Sequence, residues 1–139
     1  MDTQVQFTDA KDPRRLRELI ERAETLARQH GLRSVVVGLA GFEGDTLFPE
    51  IVDYIESALR VDDTVFRLTR ERVVLLLTDV DGAQATAIVH RLLDQFRENF
   101  PSAAEPSVGI GFFEVAPGVV DVSVKSVLPN LFATPPTSH

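Results

Sequence analysis

No cysteine occurs in the 139 residues, which excludes both a disulfide framework and a thiolate metal site, and a reducing, cytoplasmic setting is the expectation. Positive charge is the scarcer sign. Fourteen Lys and Arg stand against 21 Asp and Glu, a formal net charge of -7 at pH 7. That balance excludes a surface-wide hold on a phosphate backbone, so nucleic acid is not an expected partner, but a local basic patch can still take a small anion. Long hydrophobic runs are missing too: no stretch approaches the roughly 20 apolar residues that cross a bilayer. The opening MDTQVQFTDAKD lacks the basic-then-apolar order of a signal peptide. A soluble protein without a membrane partner is expected. His30, His90 and His139 share no ligand spacing and His139 is terminal, so none is read as a metal ligand. Neither a Ser-His-Asp arrangement nor a phosphate-loop glycine pattern is present.

What the chain does hold is apolar content of 44%, enough for the core of one domain. The expected organisation is a flexible leader over 1–11, a single domain over 12–132 and a disordered tail over 133–139. Asp12 followed by Pro13 is a helix start, Leu16, Leu19, Ile20, Ala23, Leu26 and Ala27 follow at helical spacing, and Gly31 is the C-cap. RSVVVGL, residues 33–39, has the β-branched run of a central strand. Phe48, Ile51, Val52, Ile55 and Leu59 make a second helical stripe between about Thr46 and Arg60, and Ala85, Ile88, Val89, Leu92, Leu93 and Phe96 a third that ends before Pro101. Pro101–Pro106 reads as a loop, and Ser107–Val115 as a glycine-containing strand broken by Pro117-Gly118. The stretch VVDVSVKSVLPNLF fits a short helix or a strand equally.

The middle of the chain, Arg60 to Leu77, is the most specific. Thr64–Leu68 has strand alternation, with Phe66 and Leu68 on one side and Val65 and Arg67 on the other. Val73–Leu77 is an unbroken apolar run of the kind buried on both faces. Only Thr69, Arg70, Glu71 and Arg72 separate them, which predicts an antiparallel hairpin with a charged tip. The order helix, strand, helix, strand, strand, helix, strand is that of an α+β ferredoxin-like β-α-β-β-α-β core with an extra N-terminal helix. The expectation is an antiparallel sheet with the hairpin at its centre and the helices of Leu59 and Leu92 packed on one face.

In this topology LRVDDTVFRLTRERVVLLL resembles the core signature of the GGDEF domains, the diguanylate cyclase family: a Leu-Arg helix end, a strand, the Gly-Gly-Asp/Glu-Glu-Phe turn and an apolar strand. SVVVGLAGFE resembles that family's first strand with its Asp-x-Asp-x-Phe-Lys exit, ATAIVHRLLDQF the helix after the hairpin, and PSVGIGFFEV its late Ser-x-Gly-x-Ala strand. The resemblance covers Leu16 to Val115, with a contraction between Glu43 and Phe48, and implies a nucleotidyl cyclase-like fold. It departs at the catalytic positions. Thr69, Arg70, Glu71 and Arg72 stand at the signature turn, with Val73 for its phenylalanine, and the Cβ atoms of Thr69 and Arg70 obstruct the close approach of backbone to phosphate that glycine allows. Gly38 and Ala40 stand where carboxylates would hold Mg²⁺. The segment that would contact guanine is largely deleted. The implication is a degenerate domain that is not an enzyme and carries no cofactor.

Many members of the family bind their product, cyclic di-GMP, at an Arg-x-x-Asp site with a further arginine from the next helix. Arg60, Asp63 and Arg91 match those positions. Guanidinium groups fork onto phosphate and onto the O6/N7 edge of guanine, and a carboxylate accepts from guanine N1 and N2. The structural alternative is that Arg60 caps a helix, Asp63 begins a strand and Arg91 is solvated. Two functions follow: a cyclic di-GMP sensor or effector acting through Arg60, Asp63 and Arg91, or a nucleotide-free module for protein interaction or homodimerisation in bacterial signalling.

LLLTDVDG is also the shape of a phosphatase opening motif, with Asp79 as nucleophile and Asp81 as general acid. That fold needs a parallel sheet and downstream lysine and acidic motifs, whereas Lys125 is the one lysine that follows. A strand end followed by an N-cap is the favoured reading. Arg14, Arg15 and Arg17 crowd a helix start, where a solvated face is the simpler account than a contact surface.

Overall fold

The computed structural model describes residues 13–100, 107–119, 122–133 and 137–138. Asp12, the 1–11 leader and the Pro101–Pro106 loop lie outside the described residues. The elements are α1 (Pro13–His30), β1 (Ser34–Ala40), α2 (Phe48–Ala58), β2 (Thr64–Arg67), β3 (Arg72–Thr78), α3 (Gly82–Asn99), β4 (Ser107–Val115), α4 (Val124–Leu131) and β5 (Thr137–Ser138).

Every strand pairing is antiparallel, in the order β2-β3-β1-β4-β5. The ferredoxin-like core is therefore present, and the hairpin's place in it is not central. β2 is the edge strand, β3 lies beside it, and β1 takes the middle because β4 returns along its other side, with Gly38 opposite Val74 on one flank and Gly111 on the other. The burial agrees. All seven residues of β1 are buried, while β2 buries only Phe66.

Period-two alternation sends each strand's side chains into two separate cores. Val35, Val37, Leu39, Val73, Leu75 and Leu77 meet Ile51, Val52 and Ile55 of α2 and Val89, Leu92, Leu93 and Phe96 of α3. Val36, Val74, Leu76 and Phe66 meet Leu16, Leu19, Ile20 and Ala23 of α1 and Val127 and Leu131 of α4. Two helices on one face is thus correct for α2 and α3, and α1 with α4 closes the opposite face. Of the ambiguous stretch after Pro117-Gly118, Val124–Leu131 is a helix, started by a capping box in which Ser123 and Ser126 bond one another's backbone.

Local chemistry sets the boundaries. Gly31, at φ +64, ends α1, with the Leu32 N–H donating to the Leu26 carbonyl. Asp81 accepts from the Gln84 N–H at 2.8 Å and the Gln84 side chain accepts from the Asp81 N–H at 2.9 Å, a second capping box at the head of α3. Asp81 is thus an N-cap in an antiparallel fold, and the phosphatase reading of Asp79 and Asp81 falls. Among the described residues no helix is long and apolar enough to cross a membrane.

Candidate functional site

The two chemically loaded stretches lie at opposite ends of β3. At its start, the tip Thr69–Arg72 is closed by the N–H groups of Leu68 and Thr69, both donating to the Arg72 carbonyl at 3.0 and 3.1 Å. Thr69, Arg70 and Arg72 are exposed and Glu71 is half-buried. Glu71 is engaged from its far side. Its carbonyl accepts from the Gly41 N–H at 2.8 Å and its carboxylate from the Gly44 N–H at 3.2 Å, which ties the tip to the exit loop of β1. Gly44 has φ +79, so the loop reaches that carboxylate through a conformation glycine adopts freely. Among the described residues no group of three or more acidic or histidine side chains gathers where it could hold a metal ion.

At the other end of β3, the chain leaving α2 turns through Arg60-Val61-Asp62-Asp63 into β2. Arg60 Nε donates to Asp63 Oδ2 at 3.2 Å and Nη2 to Oδ1 at 3.3 Å, a side-on fork, and Nη2 also donates to the Thr78 carbonyl. Asp63 is nearly buried, with its side chain 4% exposed, and it also accepts from the Thr78 N–H at 3.0 Å and hydroxyl at 3.4 Å. Arg60 is 56% exposed at its side chain and its Nη1 carries no bond among the described residues. The Asp63 hydrogen bond, opposed by partial desolvation and aided by the charges of Asp63, Asp62 and Asp79, raises the Arg60 pKa above its ordinary value. With the folded pKa raised, whatever this gives to stability is fully present below the unfolded value and lost only as pH climbs through the folded one. The cation is therefore constant through the ordinary pH range.

Arg91 lies on α3, exposed, on the side turned away from the core-facing residues Val89, Leu92, Leu93 and Phe96. It makes no ion pair among the described residues, so it stands as a second solvent-facing cation on the element after the hairpin. Arg60 and Asp63 are joined directly; Arg91 is joined to neither. Thr78 is the member of this cluster that sequence reasoning passed over. An apolar strand ending in threonine carries no signal of its own, and only the β2–β3 register, Thr64 opposite Leu76, shows that Thr78 ends next to Asp63.

A family model described as "Diguanylate cyclase, GGDEF domain" matches residues 41–119, more than half of the chain. The chain belongs to the GGDEF domain family. The matched residues of this GGDEF domain include Arg60, Asp63, the Thr69–Arg72 tip and Arg91, and begin just after Gly38 and Ala40. Comparison with curated protein sequences gives no match. Among solved structures, the chain is similar to PelD from Pseudomonas aeruginosa PAO1, at 24% identity and a TM-score of 0.67 over 85% of this chain and 44% of that one. The chain thus spans less than half of that PelD structure. It is similar as well to a microbial GGDEF domain whose structure shows an interaction with cyclic di-GMP, at 15% identity and a TM-score of 0.67, covering 86% and 81% of the two chains. The diguanylate cyclase SiaD of Pseudomonas aeruginosa, solved with its activator SiaC, matches at 20% identity and 0.67, over 96% of this chain and 60% of that one. At these identities the likeness is one of fold.

Proposed function

We propose that this GGDEF domain makes no cyclic di-GMP and instead binds it as a sensor or effector, through Arg60 and Arg91, with Asp63 fixing the position of Arg60. The observation that carries the proposal is the state of Arg60. Its Nε edge is held by a buried carboxylate, while Nη1 carries no bond among the described residues and the side chain is 56% exposed. A guanidinium held on one edge and free on the other is preorganised for an oxyanion, because little of its rotamer freedom remains to be lost. Arg91 adds a second, exposed cation that is not held in this way, and two cations suit a ligand with two phosphates. The structure of a related fold in contact with cyclic di-GMP supports the choice of ligand.

The lack of catalysis in this proposal rests on the opposite end of β3. Thr69 and Arg70 put Cβ atoms where phosphate must approach backbone, and the Glu71 carboxylate is bonded to the Gly44 N–H. Gly38 and Ala40 supply no oxygen for a metal. Incubation with GTP and Mg²⁺ or Mn²⁺ should yield no product above a protein-free control; product that Glu71→Ala abolishes would overturn this part.

Calorimetry with cyclic di-GMP tests the binding. Each charge-assisted bond is worth about 1.5 to 3 kcal/mol, so Arg60→Ala should weaken binding by about one to two decades. Arg91→Ala should weaken it in the same direction. Absence of heat at tens of micromolar protein, with the circular dichroism of a folded chain, would sink the ligand reading.

A second reading draws on one observation. Asp63 already accepts from Arg60 and from two groups of Thr78, so Arg60-Val61-Asp62-Asp63 also works as a clamp between the end of α2 and the end of β3 with no ligand at all. The domain would then be a protein-interaction or dimerisation module. A folded chain that is silent to cyclic di-GMP is its distinguishing outcome.

A further inference from the structure

The second core contains a contact that no side-chain pattern announces. Gly38 of β1 and Gly111 of β4 are direct neighbours in the sheet, and the end of α4 lies on both. A Cβ placed on Gly38 would come within 2.9 Å of the Leu131 carbonyl oxygen. One placed on Gly111 would strike that same oxygen and approach the Asn130 carbonyl to 2.8 Å. Helix backbone therefore rests directly on sheet backbone, where an ordinary pair of strand residues would hold a helix away. One residue on, the Phe132 ring carries the Arg72 guanidinium 5.1 Å from its centroid. Arg72 belongs to the tip of the hairpin, so the end of α4 is fastened to the signature turn.

We propose that α4 with Phe132 is a releasable strap: it is seated on the Gly38–Gly111 floor, clasped by Arg72, and opens as a unit while the sheet stays intact. The inference is independent of any ligand at Arg60. Four features argue for release. α4 has only eight residues, too few for a helix to persist alone. Pro129 within it offers no N–H to the helix ladder. Its fully buried anchors are Val127 and Leu131, against seven buried residues in β1. The segment that leads to it passes through Gly118 at φ +93, in a turn closed by the Val119 N–H on the Ala116 carbonyl, a joint that tolerates a large backbone rotation. Elements with few buried contacts sit at the low end of the local stability range. Opening bares the glycine floor and frees Arg72 together, so the face beside the signature turn has a closed and an open form.

Native-state hydrogen exchange on the full chain tests this. The amides of Val127, Leu128 and Leu131 should exchange faster than those of β1 and β3. Arg72→Ala and Phe132→Ala should each speed α4 exchange about two- to five-fold and leave β1 and β3 unchanged, from the strength of an exposed cation–π contact. Gly111→Ala should speed it about ten-fold or more, because the added methyl meets backbone that cannot give way. Arg70→Ala, on the exposed tip, should change nothing. Exchange of α4 in step with β1, or α4 rates unmoved in both Arg72→Ala and Phe132→Ala, would overturn the strap. The latter two variants remove only partly exposed contacts, so the test stands even if Gly111→Ala fails to fold.

Discussion

At the scale of single residues, Asp63 accepts four hydrogen bonds on one carboxylate. It receives a forked guanidinium and both the N–H and the hydroxyl of Thr78 with its side chain 4% exposed. Asp63→Ala leaves the Thr78 N–H buried without its acceptor and Arg60 without its anion. The expected loss is about 1 to 3 kcal/mol in urea unfolding, the usual result of orphaning a buried group; a change under about 0.5 kcal/mol would show that the Thr78 end of β3 is held by something else. Asp63→Asn keeps the shape and an acceptor for the Thr78 N–H, so it should cost less. The adjacency of Arg60 and Asp63 was legible in the chain, since four successive residues carry both. That Asp63 is turned inward was not, because burial of a carboxylate depends on the donors that meet it, and two of these, the N–H and hydroxyl of Thr78, come from β3.

At the scale of elements, helix limits follow local rules that a sequence displays. Asp81 and Gln84 form their capping box at the spacing the motif requires, and Gly31 stops α1 where a left-handed residue is needed. Asp81→Ala should lower stability by about 1 kcal/mol, and by little more if Gln84 is removed as well, since the two bonds are reciprocal. Additive losses in a double-mutant cycle would count against the box. α4 is the opposite case. VVDVSVKSVLPNLF alternates well enough for a strand, and its helical state depends on Val127 and Leu131 finding α1 and the sheet, and on two glycines that admit its backbone.

At the scale of the whole molecule, the signature turn and the β1 exit are one structure, because Glu71 bonds Gly41 and Gly44 across the gap between them. Glycines placed in the turn alone should therefore not confer cyclase activity. Thr69→Gly with Arg70→Gly is expected to leave GTP unconverted, since no carboxylate stands at Gly38 or Ala40; measurable product from that double variant would show that metal is held elsewhere. The sequence by itself determined the antiparallel α+β class, the hairpin from Thr64 to Leu77, the stripes that become α1, α2 and α3, and the family resemblance. All of these are written in periodicity, turn chemistry or motif spacing over a few residues. Only the tertiary structure decided that β1 and not the hairpin is central, that Thr78 joins Arg60 and Asp63, and that α4 lies on Gly38 and Gly111. Each of these depends on register between segments at least 15 residues apart. A glycine in a strand shows that something approaches closely, and not what approaches.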